Sequence, residues 1–187
     1  MKYKVIYADP PWSYDDKALN RGGAERHYRT MNLEDIKNLP IGSIADDDCI
    51  LFLWATFPKI QEALDVIKAW GFTYKTNAFT WVKKNKVADT NFWGMGRWTR
   101  SNAEICLLAV KGKPTRIGKG VHSIVEAKVQ KHSKKPGEIR DKIVELVGDV
   151  SRVELFAREE INGWDHWGDE VKNNNNIFND IDNGDKL

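Results

Sequence analysis

The run Asp9-Pro10-Pro11-Trp12 sets one carboxylate, two prolines and one indole side by side. Each proline fixes its own backbone φ and lacks an N–H. The pair therefore removes two donors and leaves carbonyl oxygens that can point into a site without local competition. A carboxylate, one or two carbonyl acceptors and an aromatic face together suit a planar amine that carries two N–H donors. The plainer alternative is that Asp9 caps a turn and Trp12 fills the core.

Other reactive residue types form weaker patterns. His27, His122, His132 and His166 show no metal-ligand spacing with cysteines or acids, so no metal site is expected. Cys49 and Cys106 lie in apolar runs and read as small buried hydrophobes rather than as a disulfide framework. Gly94-Met95-Gly96 lies in a basic stretch, and no full Gly-x-Gly-x-x-Gly follows a strand, which argues against a nicotinamide enzyme.

Charge is distributed unevenly. The net charge is only +2, yet residues 169–187 hold five acids against Lys172 and Lys186, so residues 1–168 carry 27 basic and 22 acidic side chains. Residues 83–119 contain nine Lys or Arg against Asp89 and Glu104. Such a surplus attracts a phosphate backbone, although it is also what a solvated face looks like. No apolar stretch approaches the roughly 20 residues of a membrane helix, and the chain is expected to be cytoplasmic.

Elements that could position these groups alternate along the chain. Tyr3 to Ala8 reads as a buried strand that stops at the prolines. Residues 13–30 read as a mobile functional loop, and Met31 to Leu39 as a helix capped by Asn32. A strand over Ile50 to Trp54 precedes a helix over Pro58 to Trp70 that Gly71 closes. Phe79 to Val82 and Ala103 to Val110 are strands separated by a basic loop with Trp93 and Trp98. Ile139 to Val147 is an amphipathic helix ended by Gly148, and Arg152 to Ala157 is a last strand. The order predicts an α/β fold, a mostly parallel sheet with helices on both faces. In such sheets ligands bind beyond the carboxyl ends of strands, where Asp9 falls. Trp54 and Trp70 read as core. Residues 1–170 form one domain, and residues 171–187 a polar tail too poor in apolar groups to pack.

Several blocks in this order resemble the MT-A70 family of adenine N6-methyltransferases, in its bacterial and phage form. They are Tyr7-Ala8-Asp9-Pro10-Pro11-Trp12, Tyr28-Arg29-Thr30-Met31, Leu51-Phe52-Leu53-Trp54-Ala55-Thr56, Trp70-Gly71-Phe72, Trp81-Val82-Lys83, His132-Ser133-Lys134-Lys135-Pro136 and Glu154-Leu155-Phe156-Ala157-Arg158. The resemblance implies a Rossmann-like domain with the permuted, β-class motif order and a C-terminal cofactor half. It implies S-adenosylmethionine as methyl donor and a nucleic acid as substrate, with DNA favoured over RNA.

The resemblance assigns catalysis to Asp9, Pro10, Pro11 and Trp12, with the amine held by Asp9 and the Pro10 carbonyl and the base stacked on Trp12 or Tyr14. Its cofactor positions fall on Ala8, Asp9, Lys135, Glu154, Arg158, Asn162, Asp169 and Glu170. Tyr28, Trp98 and Arg100 are further candidate substrate contacts. Glu159-Glu160-Ile161-Asn162 departs from the His-Asn that some members carry after the arginine. Competing readings are a non-catalytic nucleic-acid-binding subunit and an unrelated nucleotide-binding domain. A homodimer or a partner subunit is compatible with the sequence.

Overall fold

The computed structural model describes residues 1–14, 30–96, 98–130, 134–172 and 177–178. Its elements are β1 (Tyr3–Ala8), α1 (Leu33–Lys37), α2 (Ile41–Ile44), β2 (Ala45–Ala55), α3 (Ile60–Ala69), β3 (Thr73–Lys84), β4 (Ala103–Lys111), β5 (Ile124–Lys128), α4 (Glu138–Val147), β6 (Arg152–Leu155) and β7 (Asp165–Trp167). The strands form one sheet in the order β5-β3-β4-β2-β1-β6-β7. Four of its six pairings are parallel, and β4 runs antiparallel to both β2 and β3. The result is an α/β, Rossmann-like fold.

Alternation along the strands explains the two layers of core. Ile6, Ala8, Leu51, Leu53, Val153 and Leu155 face one side, with Ile36, Ile41, Ala63, Val66 and Ile67 of α1, α2 and α3 packed on them. Val5, Tyr7, Phe52, Trp54, Phe79 and Trp81 face the other, under Ile139, Ile143 and Val147 of α4. Cys49 and Cys106 are free thiols, both buried. Helices thus cover both faces. None of the helices is long and apolar enough to cross a membrane among the described residues.

Local signals account for most boundaries. Asn32 caps α1 by accepting from the Asp35 N–H at 2.8 Å. The α3 C-terminus is a Schellman motif: Phe72 N–H donates to Ile67 O and Gly71 N–H to Lys68 O, both at 3.0 Å, with Gly71 at φ 82°. The helix expected from Pro58 instead opens with a 3-10 turn, Phe57–Lys59. β3 starts six residues before the expected Phe79, because Thr73 to Thr76 is an exposed, polar half-strand without an apolar pattern. β5 and β7 were not anticipated at all; each is short, five and three residues, and charged residues interrupt its apolar pattern.

The tail departs from expectation. Ile177 and Phe178 pack on the first core, and the Phe178 ring meets Trp167 edge-on at 5.1 Å. The expected loop over 13–30 lies almost wholly outside the described residues.

Trp70 couples two helices. Its indole is buried and donates to the Ile36 carbonyl of α1 at 2.8 Å. Trp70→Phe should lower unfolding stability by about 1–3 kcal/mol, since a buried carbonyl loses its donor. A urea midpoint equal to that of the parent chain would show that α1 does not need this tie.

Candidate active site

Strand direction gathers the site. β1, β2 and β6 are mutually parallel, so Ala8, Ala55 and Leu155 end at one edge of the sheet. β4 is reversed, so its start, Ala103-Glu104, reaches that same edge beside the end of β3 at Lys83-Lys84. Asp9, Thr56, Lys83, Glu104 and Phe156 are thus neighbours although they lie far apart in sequence.

At this edge four charges alternate in sign. Lys135 Nζ donates to Asp9 Oδ2 at 2.8 Å and lies 3.3 Å from Glu104 Oε2. Lys83 Nζ donates to the other Glu104 oxygen. Burial raises the Asp9 carboxyl above its ordinary range; Lys135 pulls it back only in part, and Glu104 pushes it further up. Burial also acts to raise Glu104, yet Lys135 and Lys83 together hold it below its ordinary range. For Lys135 burial works against the charge, and the two carboxylates overcome it, leaving the ammonium above the usual lysine range. Opposite charges at short range thus act on Asp9, Glu104 and Lys135 against the cost of their burial.

The Asp-Pro-Pro turn is tied down by its own backbone. Trp12 N–H donates to Pro10 O at 2.8 Å and Met31 N–H to Pro11 O at 3.0 Å. The expected freedom from local competition does not hold: each carbonyl already accepts one bond and has only its second lone pair to offer. Trp12 is 6% exposed and donates from Nε1 to Trp54 O at 3.0 Å. Its ring face belongs to the core, so the accessible aromatic surface here is Tyr14, whose hydroxyl lies 2.7 Å from Thr56 Oγ1.

A second polar network backs the first on the α4 face. Arg140 grips Glu154 in bidentate fashion at 2.6 and 2.9 Å and reaches Glu159 at 3.4 Å. Lys134, next to Lys135, donates to Glu159 at 2.7 Å. The Arg140 guanidinium lies over the Tyr7 ring, the Tyr7 hydroxyl accepts from Trp54 Nε1 at 2.7 Å, and Lys135 lies over the Trp54 ring. Lys135 is thereby held from both its chain neighbour and the aromatic floor beneath it.

Two hollows meet at Asp9. The larger, about 1490 Å³, is lined by Asp9, Pro11, Phe156, Arg158, Trp167, Asp169 and Glu170 among others. The smaller, about 30 Å³, lies between Asp9, Pro10, Trp12, Tyr14, Glu104 and Lys135. Arg158 borders both, and its Nε lies 3.6 Å from Glu170 Oε1. Phe156 adopts φ 61°, and Gly168 approaches the Ala157 backbone so closely that a Cβ there would collide with it. These two backbone features shape one wall of the larger hollow.

Not every expected residue joins the site. Ala8 is fully buried behind Asp9. Glu154 is turned toward α4 and taken up by Arg140, and it borders neither hollow. Asn162 lies in an exposed turn away from both, and Trp98 and Arg100 are exposed and line neither. Tyr28, with His132 and Ser133, lies outside the described residues. Sequence reasoning missed Glu104, Lys83 and Arg140. Glu104 stands as an acid inside a buried strand pattern, which is a usable signal because buried acids are rare unless paired. Among the described residues no group of three His, Cys, Asp or Glu could hold a metal ion.

The charge pattern sets the sign of two shifts in the Asp9 titration, measurable by carboxyl carbon NMR. Lys135→Met removes the cation that favours the anion and should move the Asp9 midpoint to higher pH. Glu104→Gln removes the competing anion and should move it to lower pH. Shifts of the same sign in both variants would contradict the arrangement.

The MT-A70 family pattern matches residues 3–170. The chain is 37% identical to the type II methyltransferase M.MunI of a Mycoplasma species, over 92% of this chain and 79% of that protein. It is 31% identical to the human N(6)-adenosine-methyltransferase catalytic subunit METTL3 and to an MT-A70-like N(6)-adenosine-methyltransferase of Drosophila melanogaster, over 84% of this chain in both cases. The match spans only 26% and 24% of those two longer proteins. Since it runs from the strand that delivers Asp9 to the carboxylates at the far side of the larger hollow, the chain belongs to the MT-A70 family of methyltransferases.

Proposed function

We propose that this chain transfers a methyl group from S-adenosylmethionine to the N6 amine of adenine in a nucleic acid, DNA in preference to RNA. The observation that carries the reading is Asp9, held by Lys135 at 2.8 Å and lining both hollows.

The amine of adenine is a weak nucleophile because its lone pair is delocalised into the ring. Asp9 accepts one amine hydrogen and the remaining lone pair of the Pro10 carbonyl accepts the other. Gripping both hydrogens favours a pyramidal nitrogen and stabilises the positive charge that develops on it. Tyr14 lines the smaller hollow and offers the stacking face that orients the base. Once the new N–C bond has formed the nitrogen sheds a proton, and the buried Asp9 carboxylate is a receptive acceptor for it.

The larger hollow suits the cofactor. It exceeds the ~300–1,000 Å³ of ordinary small-molecule pockets, enough for a nucleoside-bearing donor beside a substrate base. Bound S-adenosylmethionine supplies the methyl on an electron-poor sulfonium. Arg158 offers a cation for its carboxylate, Asp169 and Glu170 offer acceptors for ribose hydroxyls, and Phe156 and Trp167 give apolar walls. Lys135 borders only the smaller hollow, so its task is to fix Asp9 first and to meet the cofactor carboxylate second. DNA is favoured because the relative matched over most of its length carries a type II methyltransferase designation. The N(6)-adenosine-methyltransferases are matched over about a quarter of theirs.

The test is transfer of labelled methyl to matched single-stranded DNA, duplex DNA and RNA, with the nucleosides identified after digestion. N6-methyladenine in DNA is expected. Asp9→Ala should cut transfer by at least about 10²–10³-fold while cofactor affinity stays within several-fold. Cofactor binding without transfer to any of the three polymers would overturn the reading, and full activity of Asp9→Ala would overturn the mechanism.

A further inference from the structure

The loop between β3 and β4 is anchored at the site, and Trp93, Met95 and Trp98 at its tip line neither hollow. The Lys83 carbonyl accepts from Phe92 N–H and the Lys83 N–H donates to Asn102 O, both at 2.8 Å, so one residue closes both ends of the intervening loop. The preceding turn is pinned separately, with Asn85 N–H on Thr90 O at 2.9 Å and its side-chain amide on Thr90 Oγ1 and Asn91 O. Lys83, Lys86 and Phe92 line the larger hollow. Beyond this mouth, Trp93 is 73%, Met95 82% and Trp98 95% exposed.

Large apolar side chains held this far in water are uncommon unless a partner covers them. The loop is built to present them: a Cβ at Gly94 would collide with the Ser101 carbonyl, and one at Gly96 with the Thr99 carbonyl, so only glycine allows the chain to fold back so tightly. The stretch that holds the loop is basic, with nine Lys or Arg against two acids over residues 83–119, and one of those acids, Glu104, is buried under Lys83 and Lys135. Protruding indoles on a cationic stretch beside a cavity match the stacking platforms that hold single-stranded nucleic acid.

We propose that Trp93, Met95 and Trp98 form a platform on which bases flanking the target adenine stack, holding the strand whose extruded base enters the hollow. This rests on the reading of the hollow as a site for a base drawn from a nucleic acid. It adds a partner surface that contacts neither the reacting amine nor the cofactor. Because stacking is tolerant of sequence, the platform grips strand rather than reading it, and Arg100 supplies a contact to phosphate.

The experiment measures binding of the full chain to a labelled oligothymidylate of about 15 nucleotides, which contains no acceptor adenine, and to an adenine-containing strand of the same length. Trp93→Ala and Trp98→Ala should each weaken both complexes by ~5- to 100-fold. Trp98→Phe should recover most of the loss, and thermal midpoints should be unchanged because these side chains are exposed. Loss of polymer binding with normal cofactor binding supports the platform even if no polymer is methylated. Absence of oligonucleotide binding by the parent chain overturns it. So do unchanged affinities and unchanged KM for the polymer in the alanine variants, and so does loss of self-association in sedimentation in place of loss of strand binding.

Discussion

Glu104 and Lys83, Lys135 and Asp9 lie almost out of water, in contact along a line where strand ends meet. A lone buried charge would cost several kcal/mol and would be lost by protonation or deprotonation, so each member persists because of its neighbours. Much else in the molecule serves to bring the four together. The β1 strand must stop at Asp9, β4 must run backwards to deliver Glu104, and residues 134–136 must cross from outside the sheet to place Lys135. The arrangement fixes Asp9 through one oxygen, held by Lys135.

The α4 face explains how Lys135 is kept in line without a strand of its own. It follows Lys134, which Glu159 holds, and Glu159 in turn leans on Arg140. Arg140 is anchored bidentately to Glu154 of β6, deep in the sheet. The chain of contacts runs from α4 through β6 to the segment after β6 and back to Lys135, so helix docking and charge placement are one mechanical unit. Glu154 contributes here as an anchor, which is a different use of the same acid from the one its place in a family block implied.

What was legible in the sequence was whatever depends on local chemistry. Two prolines after an apolar run announce where β1 ends, Asn32 and Gly71 mark helix ends, and alternation gives β2 and β4. The candidate site was legible only at Asp9 and its neighbours and, through the resemblance, at Lys135, Arg158, Asp169 and Glu170. Glu104 was passed over because its importance depends on the direction of β4, and a periodic pattern reads the same in either direction. Arg140 looks like the wet face of an amphipathic helix until the fold puts Glu154 opposite. The base was expected to stack on Trp12 or Tyr14; the Trp12 indole hydrogen finds Trp54 O and takes that ring into the core, which leaves Tyr14. Asn162 sits in a turn whose orientation no spacing rule specifies.

Closure of the β3 to β4 loop on a single residue has a consequence for variation. Both ends of the loop end on Lys83, itself fixed in the sheet and to Glu104, so residues 93–101 are tied to the rest of the site at their root. Lengthening such a loop costs little in closure entropy, about 0.6 kcal/mol per doubling. The segment therefore behaves as an exchangeable module: its length and tip residues can drift, or be grafted from one chain to another, while the charged line at its root stays in register.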